Sequence, residues 1–188
     1  MRLSTSGESM AIVLVRIDDR LIHGQVVEGW LKTIRANHII IVSDEVARDR
    51  MQQTLLAMAV PSSLKVTSLS VEDAASMLRQ NLYENERVLL LLSRPMDVMR
   101  LLELGVSLTS VNVGGMHYAP GKRQLLRNLC VDNDDIRALK YAGSHGVELE
   151  GRVLPSDDRI NIFEVLKKEG LVSDTRGTAS DDPGAAHE

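Results

Sequence analysis

Short apolar runs alternate with helical patterns along most of this chain. AIVLVRI (11–17) is almost continuously apolar, which is what a strand buried on both faces of a sheet requires. After it, Val26, Val27, Trp30, Leu31 and Ile34 fall on one helical face. HIIIV (38–42) reads as a second strand, and the stretch from Asp44 to Val60 as a helix stopped by Pro61. LKVTSL (64–69) is a third, weaker strand. Ser70, with Asp73 three residues on, opens the next helix in the manner of a capping box. RVLLLL (87–92) is the clearest strand, and Pro95 begins a helix that ends near Gly105. TSVNV (109–113) is a fifth strand. VDNDDIRALKYAG (131–143) starts acidic and ends on glycine, the polarity a helix dipole favours. VELEGRVL (147–154) alternates with polar residues and reads as an edge strand, followed by a helix from about Asp158 to Glu169.

This alternation predicts βαβ units, hence an α/β fold: a single open, mainly parallel twisted sheet with helices on both faces. The expected domain is 11–170. Residues 1–10 read as a flexible lead, with Met10 as a candidate start directly before the first apolar run. Residues 171–188, rich in Ser, Asp, Gly and Ala, read as a disordered tail. In sheets of this kind ligands bind beyond the carboxyl ends of the strands, here the loops 18–24, 43–45 and 114–122.

Composition narrows the picture. The chain has 188 residues, 44% of them hydrophobic, enough for one domain with a sizeable core. A net charge of −4 argues against nucleic acid as a main partner. A single cysteine, Cys130, makes neither an internal disulfide nor a cysteine-rich zinc site, and fits a reducing cytoplasm. No apolar run approaches the roughly 18 residues of a membrane span.

The densest polar chemistry lies in Arg16-Ile17-Asp18-Asp19-Arg20-Leu21-Ile22-His23-Gly24-Gln25, between a buried strand and an amphipathic helix. A helix start there presents free N–H groups to anions. Gly24 permits a close backbone approach or an unusual dihedral. A neutral imidazole at His23 is a competent nucleophile toward phosphorus, and Arg16 and Arg20 are able to fork onto phosphoryl oxygens. Plainer readings stand beside this one. His23 is equally a surface or capping residue, Asp18-Asp19 ordinary turn chemistry, and the Arg–Asp pairs structural. A magnesium phosphohydrolase built on Asp18 and Asp19 is disfavoured, because adjacent strand residues point apart and two arginines repel the metal.

The string RIDDRLIHGQV resembles the active-site motif of enzyme IIB of the mannose/fructose/sorbose family of sugar phosphotransferase systems. SDEVARD, TSVNVGGMHY with the following GK, and VDNDDI…GVELEGRVLPSD resemble the same family, so the likeness runs from about Ile12 to Leu166. The resemblance implies an open α/β fold and a phosphohistidine at His23, formed on Nδ1. It implies a IIA subunit as donor, a sugar held by IIC and IID membrane subunits as acceptor, and no metal or cofactor. It implies the activity of a protein-phosphohistidine–sugar phosphotransferase, cytoplasmic and peripherally associated with the membrane subunits. The competing function is a regulatory module switched by phosphorylation of His23 without transport. In the implied mechanism Arg20 and Arg16 stabilise the phosphoryl oxygens, and Asp18 or Asp19 holds an arginine in place. Backbone N–H groups near Gly24 add donors, and Gly114-Gly115 either supports the phosphate or simply ends its strand.

The remaining candidates have bland readings. His117 and His145 read as surface residues, His38 as structural, and Ser43-Asp44 as a helix cap. Lys122-Arg123 is a basic pair able to attract an acidic patch on a donor. Cys130 reads as core, and Met51, Met58, Met77, Met96 and Met99 as core filler.

Overall fold

The computed structural model describes residues 11–80 and 86–172; the expected lead 1–10 and the tail from 173 onward lie outside the described residues. The strands are β1 (Ala11–Asp18), β2 (His38–Val42), β3 (Lys65–Leu69), β4 (Arg87–Leu92), β5 (Ser110–Gly115), β6 (Arg123–Leu126), β7 (Leu129–Val131), β8 (Glu148–Gly151) and β9 (Ile160–Asn161). The first helix, α1, is π-helical over Gln25–Leu31 and α-helical over Lys32–Ile34. Then come α2 (Asp44–Arg48), α3 (Arg50–Met58), α4 (Val71–Arg79), α5 (Pro95–Glu103), α6 (Asn133–Ser144) and α7 (Ile162–Lys168).

Seven strands form one sheet in the order β3-β2-β4-β1-β5-β8-β9, parallel except for β9, which runs antiparallel to β8. The continuous apolar runs are explained by burial on both faces. In β2 and β4, Ile40, Val42, Val88, Leu90 and Leu92 join one core, and Ile39, Ile41, Leu89 and Leu91 the other. Residues of α4, α5, α6 and α7 complete the first core; Val26 and Leu31 of α1 and Val46 of α2 complete the second. Each strand thus sends alternate side chains to opposite helix layers.

Several expectations need correction. The helix expected over 44–60 breaks at Asp49, whose extended backbone and carboxylate cap a new helix through the N–H of Gln52. An Asp competes well for such a cap and poorly for a helix interior. β8 is not an edge strand, because β9 pairs outside it; its polar Glu150 is buried against Arg152 and Arg159. The β6–β7 hairpin was not anticipated. Met51 and Met58 are not core filler: both are 75% exposed. Leu171 and Val172 pack against the core, extending the folded body just past 170. Ser70 caps α4 as expected, accepting the N–H of Asp73, and Cys130 is buried.

His38 is structural. Its ring lies fully buried at the start of β2, with Nδ1 donating to Glu86 Oε2 at 2.6 Å and Nε2 facing the Thr67 hydroxyl at 2.8 Å. Burial lowers its pKa from 6.5, with Glu86 opposing. Below 6.5 the unfolded chain therefore takes up a proton that folded His38 refuses, and stability falls with pH. Glu86, held below its ordinary 4.5, adds to the acid loss only beneath that value. Denaturant titrations at pH 7.5 and 5.5 should show a loss of stability that is smaller in His38→Gln; an unchanged loss would remove His38 from the effect.

Candidate functional site

The site is built from the carboxyl ends of β1 and β5, at the centre of the sheet. Arg16 pairs in register with Asn112 of β5 and Leu91 of β4, so its side chain starts inside the protein. Its guanidinium is fully buried. Nη1 donates to Asn112 Oδ1 and to the carbonyl of Arg152; Nη2 donates to Asp18 Oδ2 at 2.8 Å and to the carbonyl of Val153 at 3.3 Å. Trp30 covers one side, its ring centroid 5.3 Å from the guanidinium carbon, and ties itself to the Val153 carbonyl through Nε1. Gly114 closes the other side. A Cβ there would lie 1.8 Å from Arg16 Cζ, so only glycine leaves room for the cation.

Arg16 fixes Asp18, which is also fully buried. Asp18 Oδ2 meets both Arg16 Nη2 and His23 Nε2, the latter at 2.9 Å, and Oδ1 accepts the backbone N–H of Arg20 at 3.3 Å. Burial pushes the Asp18 pKa up, but the hydrogen bond from His23 and the charge of Arg16 outweigh it, and the net shift is downward from 3.8. An ionised carboxylate only accepts, so His23 carries its proton on Nε2, and in the neutral ring the lone pair resides on Nδ1. Nδ1 has no hydrogen-bond partner among the described residues. The ring is partly exposed, with 15% of its side chain accessible.

The loop between β1 and α1 turns sharply to deliver His23. Leu21 takes a left-handed backbone (φ 56°) while its side chain stays in the core. That conformation costs a non-glycine residue roughly 1–2 kcal/mol. The His23 carbonyl accepts from the N–H groups of Val26 and Val27, starting the helix directly behind the imidazole. Arg20 is half-exposed. Its Nη2 donates to Gln25 Oε1 at 2.7 Å and lies 3.4 Å from His23 Nε2, leaving it on the solvent side of the ring.

The structure separates the two aspartates. Asp18 serves His23, while Asp19 turns to the other loop, accepting from His117 Nδ1 and the His117 backbone N–H, each at 2.6 Å. Arg16 is enclosed and faces Asp18, so its expected place on the phosphoryl oxygens is corrected: it holds the carboxylate that holds the histidine. Gly24 has an ordinary right-handed helical backbone and open space where a Cβ would be, so no special dihedral requires it. Gly114 and Gly115 are strand residues, not a strand-ending turn, packed on Arg16 and Asp18 respectively. Ser43 caps α2, and Asp44 is engaged by Arg100 and the N–H of Val71. Lys122 is tied to Asp135. Asn112, Trp30 and Gln25 were missed; a polar residue inside the apolar run TSVNV was the available signal for Asn112.

Comparison with known proteins places this geometry in context. The family described as PTS system sorbose subfamily IIB component matches residues 12–177. The PTS system fructose-specific EIIB component of Bacillus subtilis (strain 168) is 40% identical over 158 residues, covering 84% of this chain and 97% of that protein. The PTS system mannose-specific EIIAB component of Escherichia coli (strain K12) is 44% identical over 162 residues, covering 85% of this chain and 49% of that protein. The crystal structure of the IIBSor domain of the sorbose permease from Klebsiella pneumoniae superposes with a TM-score of 0.80 at 40% identity, covering 85% of this chain and 98% of that one.

The contrast between the aspartates is measurable. Asp18→Asn leaves the buried Arg16 cation uncompensated and should cost about 3–5 kcal/mol at pH 7. Because the folded pKa of Asp18 is depressed, this contribution is present above 3.8 and lost as the pH falls below it. Asp19→Asn, at a partly exposed contact, should cost about 1 kcal/mol or less. Similar losses for both variants in urea unfolding would contradict the division of roles.

Proposed function

We propose a phosphocarrier role for His23 from one premise: the chain belongs to the sorbose subfamily of PTS IIB components, the phosphotransferase subunits that serve sugar uptake. The observation that carries the assignment is the contact between His23 Nε2 and Asp18 Oδ2 at 2.9 Å, with Asp18 locked in turn by Arg16. It sets the tautomer and leaves Nδ1 as the nucleophile.

In the first step Nδ1 of His23 attacks the phosphorus of a donor phosphohistidine in line. The P–Nδ1 bond forms as the donor's P–N bond breaks. As the ring gains positive character, the Nε2–H bond to Asp18 strengthens, which stabilises the phosphorylated imidazole. Arg20, the accessible guanidinium beside the ring, forks onto the phosphoryl oxygens. In the second step a sugar hydroxyl attacks the same phosphorus, the P–Nδ1 bond breaks, and the hydroxyl proton leaves to a base of the acceptor complex or to water. The protein supplies position and charge, which is most of what phosphoryl transfer demands.

The donor is a IIA subunit. Support comes from the Escherichia coli relative, an EIIAB component of which this chain matches about half the length. The acceptor is a sugar carried by IIC and IID membrane subunits, and this chain reaches it from the cytoplasmic face as a peripheral subunit. The activity is that of a phosphohistidine–sugar phosphotransferase. No helix among the described residues is long and apolar enough to cross a membrane.

His23→Ala should abolish labelling by a phosphorylated donor while retaining the fold, because the side chain is partly exposed in a loop. The wild-type label should be labile to acid and stable to alkali; normal labelling of the variant, or an acid-stable label, would overturn the assignment. Arg20→Lys keeps the charge but loses the planar fork, and should slow transfer from His23 to sugar by about 10²–10³. Equal rates for wild type, Arg20→Lys and Arg20→Ala would remove Arg20 from the mechanism.

A further inference from the structure

Beside His23 the β1–α1 loop and the β6–β7 hairpin enclose a cleft of about 740 Å³. Small-molecule sites typically span roughly 300–1,000 Å³. Arg20 and Gln25 line both this cleft and the surroundings of the imidazole; His117, Tyr118, Gln124 and Arg127 line the rest of its polar surface. The charge here is not that of the whole chain, whose net charge is −4. Arg20 and Arg127 are both exposed, and the Arg127 guanidinium has no partner among the described residues. The one carboxylate in the lining, Asp157, already accepts the N–H of Leu154 at 2.7 Å. Asp19 is spent on His117, which it holds at the cleft wall through two contacts. What the cleft offers an anion is therefore the open guanidinium of Arg127 and that of Arg20, which is shared with Asp18 and Gln25, against the single carboxylate of Asp157; amide and phenol groups are there for hydroxyls.

We propose that this cleft binds a sugar phosphate, with the phosphate on Arg20 and Arg127 and the hydroxyls on Gln25, Gln124 and Tyr118. The inference rests on His23 passing its phosphoryl group to a sugar. The product then has a resting place next to the group that made it. Because Arg20 lines both places, a bound sugar phosphate occupies the guanidinium that an incoming phosphoryl group needs. Accumulated product thereby slows phosphorylation of His23, a feedback set by the cleft itself.

The experiment is an NMR titration of the full, unphosphorylated chain with mannose and fructose phosphates, each parent sugar, and inorganic phosphate. At least one sugar phosphate should shift the amides of His117 and Arg127 and bind about tenfold more tightly than inorganic phosphate, with no response to the parent sugar. Arg127→Ala should weaken that binding about tenfold, as expected for one charge-assisted hydrogen bond, and Arg127→Lys less. The inference is overturned by no response to any sugar phosphate, by equal affinity for inorganic phosphate, or by an unchanged Kd in Arg127→Ala. It is also overturned if Arg127→Ala raises only the KM for the donor subunit, since the cleft would then receive protein. Donor labelling of wild-type His23, measured separately, keeps the two readings apart: a labelled protein that binds no sugar phosphate loses this inference alone.

Discussion

The ion pair between Arg16 and Asp18 is the constraint on which the site depends. Both side chains are fully buried, at the carboxyl end of the central strand of the sheet. Removing either partner strands a charge in the interior, which is far costlier than the pair is beneficial. Satisfying the pair recruits residues far apart in sequence. Asn112 and the carbonyls of Arg152 and Val153 accept from the guanidinium, and Gly114 makes room for it. The arrangement is a means of fixing one carboxylate oxygen, Asp18 Oδ2, where an imidazole can reach it.

The fold contributes rigidity at the right edge. β1 lies between β4 and β5, and all three are tightly packed. A residue at the carboxyl end of β1 is thus held from both sides, while the loop that follows is free to turn outward. The left-handed Leu21 is the cost of that turn, offset by burying its side chain with Ile22 against the second core. His23 emerges between that buried pair and the start of a π-helical segment whose first N–H groups it caps with its own carbonyl. The imidazole is anchored by Nε2 and open at the other nitrogen, a suitable arrangement for a carrier that must accept and release the same group. Arg20 and Gln25 border both the ring and the neighbouring cleft, so the two share side chains.

The chain by itself determined the layered architecture and the address of the chemistry. Short, β-branched or leucine-rich apolar runs such as HIIIV and RVLLLL fit strands buried on both faces, and the helical stretches between them point to parallel crossovers. The charged cluster from Arg16 to Gln25 breaks that pattern at a strand end, where charge is expensive without a purpose. RIDDRLIHGQV carried the family as well. What only the tertiary structure decided was which charged group faces which. Arg16 and Arg20 look alike in sequence, but one starts inside a sheet and the other in a solvent-facing turn, so the first is enclosed against Asp18 while the second reaches the same carboxylate from outside at 3.7 Å and stays half-exposed. Asp18 and Asp19 are adjacent, and strand geometry sends them to different loops. The helix break at Asp49 and the exposure of Met51 and Met58 were equally invisible, because local pattern records periodicity and not what lies across from it. Asn112 and Gly114 acquire their meaning only when β5 is laid beside β1 and the guanidinium of Arg16 needs both an acceptor and an empty place.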